Sequence, residues 1–215
     1  KIRSAGNDPS LYLLKYPRNI SKIPDFSTPF IGREQELDEI SDLLVNPNCR
    51  LLTLFGPGGI GKTRLALEAA RQQVGLPTDG VYYIPLVAIA SAEQLSAAIS
   101  DTLGLVLADQ SDPHARLLDY LREKRLLLVL DNFEHLLGSP DSIRPVIDIL
   151  EKAPGVTLLV TSRERLMLQE EWVYSLTGLR FPLSAMVDEI HATPEWVKQY
   201  DALWLFYQRA RQVKF

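Results

Sequence analysis

The residues best suited to chemistry lie in the stretch Gly56-Pro57-Gly58-Gly59-Ile60-Gly61-Lys62-Thr63. It matches the pattern G-x-x-x-x-G-K-[ST] at every required position. Glycines let backbone N–H groups turn inward around phosphate oxygens without a Cβ in the way. Lys62 is expected to reach the β- and γ-phosphates of a nucleotide, and the Thr63 hydroxyl is expected to ligate Mg²⁺. A glycine-rich turn that merely closes a corner is the alternative.

The segments on either side of this loop favour phosphate binding. Arg50–Phe55 is predicted to be a strand, and Lys62–Gln73 is predicted to be a helix whose third residue, Arg64, is a further candidate for binding the nucleotide. The amino terminus of such a helix offers unpaired N–H groups and the positive end of its dipole to an anion.

Asp131 follows the apolar strand predicted at Leu126–Leu130. A carboxylate there can hold Mg²⁺ through its water shell, opposite Thr63. The alternative is an aspartate that caps the next turn. Asn132 can orient a water but cannot take its proton, so Glu134 is the candidate base. A solvated or capping role for Glu134 stays open.

Arg163 follows a second predicted strand, Val156–Val160, together with Thr161 and Ser162. Arginine pairs well with phosphate oxygens, so Arg163 is expected to contact a γ-phosphate. The alternative is a surface arginine paired with Glu164 or Glu170. Arg165 is a weaker candidate for the same contact.

The order of predicted elements indicates an α/β fold. Continuous apolar strands, including Val81–Val87 and Trp172–Leu176, alternate with helices, which is typical of a parallel sheet covered on both faces. Ligands of such sheets bind at the carboxyl ends of the strands. The glycine loop, Asp131 and Arg163 all fall at that edge.

The composition narrows the class of protein. The net charge of −4 argues against a dedicated nucleic-acid clamp, and no apolar run is long enough to span a membrane. Cys49 is the only cysteine, which excludes an intramolecular disulfide and favours the cytoplasm. The three histidines, at positions 114, 135 and 191, are scattered and predict no zinc site.

The chain divides into three predicted parts. Residues 1–27 are proline-containing and aperiodic, typical of a linker or the tail of a preceding domain, and residues 28–180 form the nucleotide-binding domain. Residues 181–215 form a linker and a helix with an apolar stripe that includes Phe206 and Val213. Because the chain starts at Lys1 and stops within that helix, we expect a piece of a larger protein.

Five segments together resemble one family: "FIGREQEL", "GPGGIGKTRLALE", "LLLVLDNFEHLL", "LLVTSRERL" and "EWVYSLTGL". They are similar to the nucleotide-binding domain of STAND-class signal-transduction ATPases, close to the NB-ARC and apoptotic-ATPase group. Bacterial ATPases found in large multidomain regulators are the nearest likeness. The resemblance covers roughly Thr28 to Phe215.

The resemblance implies roles for particular residues. Phe30, Ile31 and Arg33 would lie against adenine and ribose. Gly56–Thr63 would be the Walker A loop, Asp131 the Walker B acid, and Arg163 a sensor arginine. Asn132 departs from the two-acid pattern of other STAND branches, although Asp-Asn-x-Glu-His is usual in the bacterial branch.

The resemblance also implies an architecture and partners. The P-loop NTPase sheet would have five parallel strands in the order 5-1-4-3-2, followed by the first helix of a helical domain. ATP or ADP with Mg²⁺ would be the cofactors, and effector and sensor domains of the parent protein the attached partners. Nucleotide-dependent self-assembly would be compatible with it, and direct nucleic-acid binding is not expected.

Four functions remain in order of preference. The first is an ATP/ADP switch with slow, Mg²⁺-dependent hydrolysis, and the second is a module that retains ADP and barely hydrolyses. A P-loop kinase is third, because no arginine-rich lid is found between Asp131 and Val160. A nucleic-acid motor is last, given the acidic balance.

Overall fold

A computed structural model describes residues 21–74, 79–105, 112–182 and 194–212. Most of the predicted linker (residues 1–20), His191 and Val213 lie outside this part. The strands are β1 (Ser21–Lys22), β2 (Leu51–Phe55), β3 (Gly80–Pro85), β4 (Leu126–Asp131), β5 (Val156–Ser162) and β6 (Glu171–Ser175). The helices are α1 (Glu34–Val45), α2 (Lys62–Gln72), α3 (Ala92–Leu103), α4 (Pro113–Leu121), α5 (Arg144–Lys152), α6 (Pro194–Val197) and α7 (Asp201–Ala210).

The strands form one parallel sheet in the order β1-β3-β4-β5-β2-β6. If the P-loop strand β2 is numbered 1 and the later strands are numbered in chain order, β3-β4-β5-β2-β6 becomes 2-3-4-1-5. This is the predicted order 5-1-4-3-2 in reverse, so this prediction is confirmed. The two-residue β1 adds a sixth strand beside β3, within the segment predicted to be a linker.

The sheet is covered on both faces because its central strands are apolar on both sides. Every residue of β4 is buried. Successive strand residues point to opposite faces, so Leu128 packs with α3, α4 and α5, while Val129 packs with α1 and α2. In the described part of the chain, no helix is both long and apolar enough to cross a membrane.

A polar network fastens the three helices of one face to each other. Ser96 on α3 lies 2.9 Å from Nδ1 of His114 on α4, and His114 Nε2 lies 2.7 Å from Asp148 on α5. Arg144 adds an ion pair of 3.0 Å to the same carboxylate. Burial would raise the pKa of Asp148, but the hydrogen bonds from His114 and Arg144 outweigh it and lower that pKa. The histidine is therefore structural here.

Two prolines mark the start of helix α5. The sequence of Ser142–Lys152 predicts a single helix, but a 3₁₀ turn spans Pro140–Ile143 and α5 begins at Arg144. Pro145 occupies the first turn of α5, where its missing N–H costs no hydrogen bond. A similar 3₁₀ turn, Phe133–Leu136, begins two residues after Asp131 and carries Glu134.

Gly155 lets β5 start close to the chain that enters β4. A Cβ at this position would overlap the backbone oxygen of Lys124. We expect Gly155→Ala to lower the free energy of unfolding by about 2 kcal/mol, since the backbone must move to accommodate the methyl group. Gly138→Ala is the control, because a Cβ there meets no atom within 4 Å. Chemical denaturation of both variants tests this, and equal stabilities would contradict it.

Candidate functional site

The glycine loop leaves the carboxyl end of β2 between β5 and β6. The Gly56 N–H donates to the Ser162 carbonyl at 3.3 Å, and a Cβ on Gly56 would lie 3.1 Å from the Leu176 oxygen. Gly59 and Gly61 have φ angles of 76° and 97°, which strain any residue with a side chain. The glycines of the motif are therefore required by the path of the loop.

Lys62 begins α2 and folds back over the loop. Its Nζ donates to the carbonyls of Gly56 at 2.8 Å and Pro57 at 3.0 Å. Burial lowers the pKa of Lys62; the nearby Glu134 opposes this shift, and Arg163 adds to it. Because Gly61, which caps the helix, has no side chain, the first N–H groups of α2 also remain available to an anion.

Asp131 ends β4 and accepts hydrogen bonds from three hydroxyl groups. Its Oδ1 accepts from Thr63 at 2.7 Å and from Thr161 at 2.5 Å, while its Oδ2 accepts from Tyr83 at 2.9 Å. Burial raises the pKa of Tyr83, and the charge and hydrogen bond of Asp131 raise it further, so the phenol keeps its proton. Asp131 is 4% exposed, and its hydrogen-bond donors come from α2, β5 and β3.

This donor set fits Mg²⁺. The hydroxyl of Thr63 and the carboxylate of Asp131 supply the hard oxygen atoms that this ion prefers. Within the described residues, no group of three or more His, Cys, Asp or Glu side chains could hold a metal. A site of one hydroxyl and one carboxylate suits an ion that takes its remaining ligands from phosphates and water.

Glu134 and Arg163 form an ion pair beside the loop. Arg163 Nε lies 3.0 Å from Glu134 Oε1, and the Arg163 N–H donates to Glu134 Oε2 at 3.3 Å. A Cβ on Gly58 would lie 3.2 Å from the Arg163 guanidinium, which places this cation across the loop. Arg163 thus pairs with the candidate base itself, whereas Glu164 and Glu170 were the partners considered from the sequence.

Two adjoining cavities lie above these residues. One, of about 300 Å³, is polar and bounded by the loop, Lys62, Thr63, Glu134 and Arg163. The other, of about 500 Å³, is bounded by apolar residues that include Phe30, Ile31, Ile60, Leu179 and Leu205. They share four residues as a common wall: Phe26, Gly59, Gly61 and Arg64. The first has the lining expected for phosphates, and the second has that expected for a base.

Arg33 braces the base cavity. It is 6% exposed and donates to the carbonyls of Ile60 at 3.0 Å and Thr177 at 2.9 Å. Its backbone has φ 65°, directly before α1. The guanidinium that the resemblance assigned to adenine and ribose is thus engaged with the backbone of the glycine loop and of the segment after β6.

Helix α7 closes the open side of the base cavity. Leu205 and Arg209 line it, and Arg209 donates to the Thr28 hydroxyl at 3.1 Å. Asp201, at the start of α7, lies where a Cβ on Gly32 would be and also pairs with Arg180 at 3.1 Å. The predicted apolar stripe is not the packed face throughout, since Phe206 is 72% exposed.

Some residues of the site carry no clear signal in the sequence. Tyr83 and Phe26 were not considered, and Thr161 was noted only as a polar residue at a strand end. Arg165, the weaker sensor candidate, lies over the Phe55 ring at 5.7 Å and does not line the polar cavity. A larger cavity of about 670 Å³ lies where the strands begin, and the described residues lining it include no predicted site residue.

Similar proteins have been found by sequence. An uncharacterized protein of Mycobacterium tuberculosis is 33% identical over 188 residues, which are 87% of this chain and 42% of that protein. A protein of the same species, named as an HTH-type transcriptional regulator, is 35% identical over 144 residues. The match covers 65% of this chain and 15% of that protein. The chain thus spans less than half the length of these relatives.

Solved structures share the fold. Cdc6p from Pyrobaculum aerophilum superimposes with a TM-score of 0.53 at 22% identity, over 66% of this chain and 41% of its own. The ORC1 protein of Aeropyrum pernix, solved in complex with DNA, gives a TM-score of 0.52 at 20% identity. That match covers 67% of this chain and 45% of the ORC1 chain.

A family model bears directly on the site. The model of the NB-ARC domain matches residues 33–169, a range that contains the glycine loop, Asp131 and Arg163. Because this match spans more than half of the sequence, and the sheet has the strand order that the resemblance implied, the chain belongs to the NB-ARC domain family.

Proposed function

We propose that this chain is an ATP/ADP-binding switch domain with slow, Mg²⁺-dependent ATP hydrolysis. The observation that carries the proposal is the hydrogen bond of 2.7 Å between Thr63 and Asp131, formed beneath the polar cavity. It brings the metal-binding hydroxyl of the loop and the acidic end of β4 to one point. Lys62 lies at the same cavity.

Each side chain of the polar cavity has a distinct task in this proposal. Lys62 neutralises charge on the β- and γ-phosphates, and Thr63 and Asp131 would hold Mg²⁺, whose charge would offset that of the phosphates. Arg163 reaches from β5 over Gly58 and contacts the γ-phosphate. Glu134, released from Arg163 by that contact, accepts a proton from the attacking water.

The base cavity supplies the coupling to other parts of the parent protein. Because Leu205 and Arg209 belong to α7, a bound base would contact that helix as well as the P-loop. A ligand shifts a conformational equilibrium only through a difference in its contacts with the two states. A base contacts α7 only in the conformation in which that helix lies on the cavity, so a bound nucleotide would favour this conformation over one in which α7 has moved away.

An ADP-retaining module with little hydrolysis is the second candidate. The observation that favours it is the Glu134–Arg163 ion pair, since Glu134 accepts from both the side chain and the backbone of Arg163. Asn132 adds no second acid beside Asp131. If this arrangement persists with ATP bound, no carboxylate is free to act as a base.

The domain division and setting are part of the proposal. Residues 28–180 are the nucleotide-binding domain, 181–215 begin a helical domain, and 1–27 connect to a preceding part. A relative named as a transcriptional regulator supports an attached effector domain. The single, buried Cys49 suits a reducing cytoplasm. Nucleotide-dependent self-assembly, without direct binding of nucleic acid by this segment, completes the proposal.

Lys62→Ala tests the phosphate site. We expect a loss of about 3 kcal/mol of ATP binding, or roughly a hundredfold weaker affinity, because the substitution removes the charged donor to two phosphates. Lys124→Ala is the control, since Lys124 lies at the opposite edge of the sheet, where it pairs with Asp79. Calorimetric titration with ATP measures both. Equal affinity of K62A and wild type would contradict the assignment of this site.

Glu134→Gln separates the two candidate functions. If Glu134 is the base, steady-state ATP hydrolysis falls by about a hundredfold or more while ATP affinity is retained. Glu164→Gln is the matched control, an exposed carboxylate one residue from Arg163. Hydrolysis by E134Q at the wild-type rate would exclude Glu134 as the base. No measurable turnover by the wild type would favour the ADP-retaining module.

Gly32→Ala tests the coupling to α7. A Cβ here would lie 2.6 Å from Cγ of Asp201, so we expect faster hydrogen exchange across Asp201–Ala210. Gly104→Ala is the control, because Gly104 has a similar positive φ of 76° and its Cβ would meet no atom within 4 Å. Both variants incur backbone strain of about 1 kcal/mol, and only G32A is expected to loosen α7. Equal exchange of α7 in the two variants would contradict this coupling.

A further inference from the structure

The carboxylate of Asp131 has two oxygens with different surroundings. Oδ1 accepts from Thr63 and Thr161, which come from α2 and β5, and Oδ2 accepts from Tyr83 on β3. A carboxylate has about four positions at which it can accept hydrogen bonds, two on each oxygen. The two hydroxyls fill those of Oδ1, which leaves one position, on Oδ2, beside the Tyr83 hydroxyl.

The direction of the bond from Thr161 is fixed by its own partner. The backbone N–H of Asn132 donates to the Thr161 oxygen at 3.0 Å, so the Thr161 proton is directed to Oδ1. Asn132 lies in the left-handed region at φ 66°, where the chain leaves β4 and enters the 3₁₀ turn Phe133–Leu136. Thr161 therefore serves Oδ1 and leaves Oδ2 to Tyr83.

The sheet holds Tyr83 at the correct face and depth. In the parallel pairing of β3 with β4, Tyr83 lies opposite Val129 and Pro85 lies opposite Asp131. Residues two apart on a strand share a face, so Tyr83 and Asp131 are on the face that α2 covers. A tyrosine can reach diagonally along the sheet to the end of the neighbouring strand, and its hydroxyl meets Oδ2.

We propose that Tyr83 is a positioning residue of the metal site, whose hydroxyl fixes Oδ2 of Asp131 as the oxygen that accepts from a water of bound Mg²⁺. This inference rests on the proposed function. Thr63 and Thr161 keep Oδ1 engaged, and Tyr83 stops the carboxylate from rotating about its own axis. Partners of this kind orient a metal-binding carboxylate without touching the ion.

The test is the factor by which Mg²⁺ tightens binding of a non-hydrolysable ATP analogue, from calorimetry with excess Mg²⁺ and with EDTA. We expect Tyr83→Phe to reduce this factor about tenfold, at the lower end of the usual cost of losing such a partner. Affinity in EDTA should stay at the wild-type value, because Tyr83 does not line either part of the nucleotide cavity. A merely structural hydroxyl would change both affinities or neither.

Tyr82→Phe is the matched control. It removes the same hydroxyl from the adjacent residue of β3, where the phenol bonds to the Asp79 carbonyl at 3.3 Å. We expect Y82F to keep the wild-type Mg²⁺ factor, and thermal melts of both variants report any loss of folding. If Y83F keeps the wild-type factor, the role of Tyr83 is overturned and the proposed function stands. If the wild type binds no nucleotide, both fail.

Discussion

A buried carboxylate at the end of β4 is the constraint around which the site is built. Asp131 is removed from water, and a buried charge is tolerated only if protein groups replace the lost hydration. Three hydroxyls do so, and they come from α2, β3 and β5. The carboxyl ends of three neighbouring strands and the start of one helix must therefore meet within a few ångströms. The parallel sheet, with the P-loop strand two positions away from β4, provides that meeting point.

The glycine loop and the Asp131 carboxylate are suited to charges of opposite sign. The loop offers backbone N–H groups and Lys62 to negative charge, and Asp131 with Thr63 offers oxygen atoms to a cation. In the proposed function neither half would be complete alone, because polyphosphate and magnesium would neutralise each other within the site. The base cavity adds much apolar surface, so it can distinguish a nucleotide from free phosphate.

The residues themselves were sufficient to predict the grouping of the loop, Asp131 and Arg163 at one edge, because a pattern in consecutive residues and the ends of apolar strands are local features of the sequence. The order of the strands was predicted only through the resemblance to a family, because strand order depends on contacts between distant parts of the chain. Tyr83 was missed because its role needs the pairing register of β3 with β4, and a tyrosine in a strand is usually explained by packing. The Glu134–Arg163 pair joins two loops 29 residues apart, and no local pattern indicates it. The roles of the predicted site residues in binding and catalysis stay predictions.

The hydrogen bonds of Arg33 connect two stretches of backbone that are far apart in the sequence. A single guanidinium grips the carbonyl of Ile60 within the glycine loop and that of Thr177 just after β6. A large displacement of the loop would either break one of these hydrogen bonds or move the chain after β6 with it. The direction in which the chain leaves β6 therefore depends on the conformation of the glycine loop.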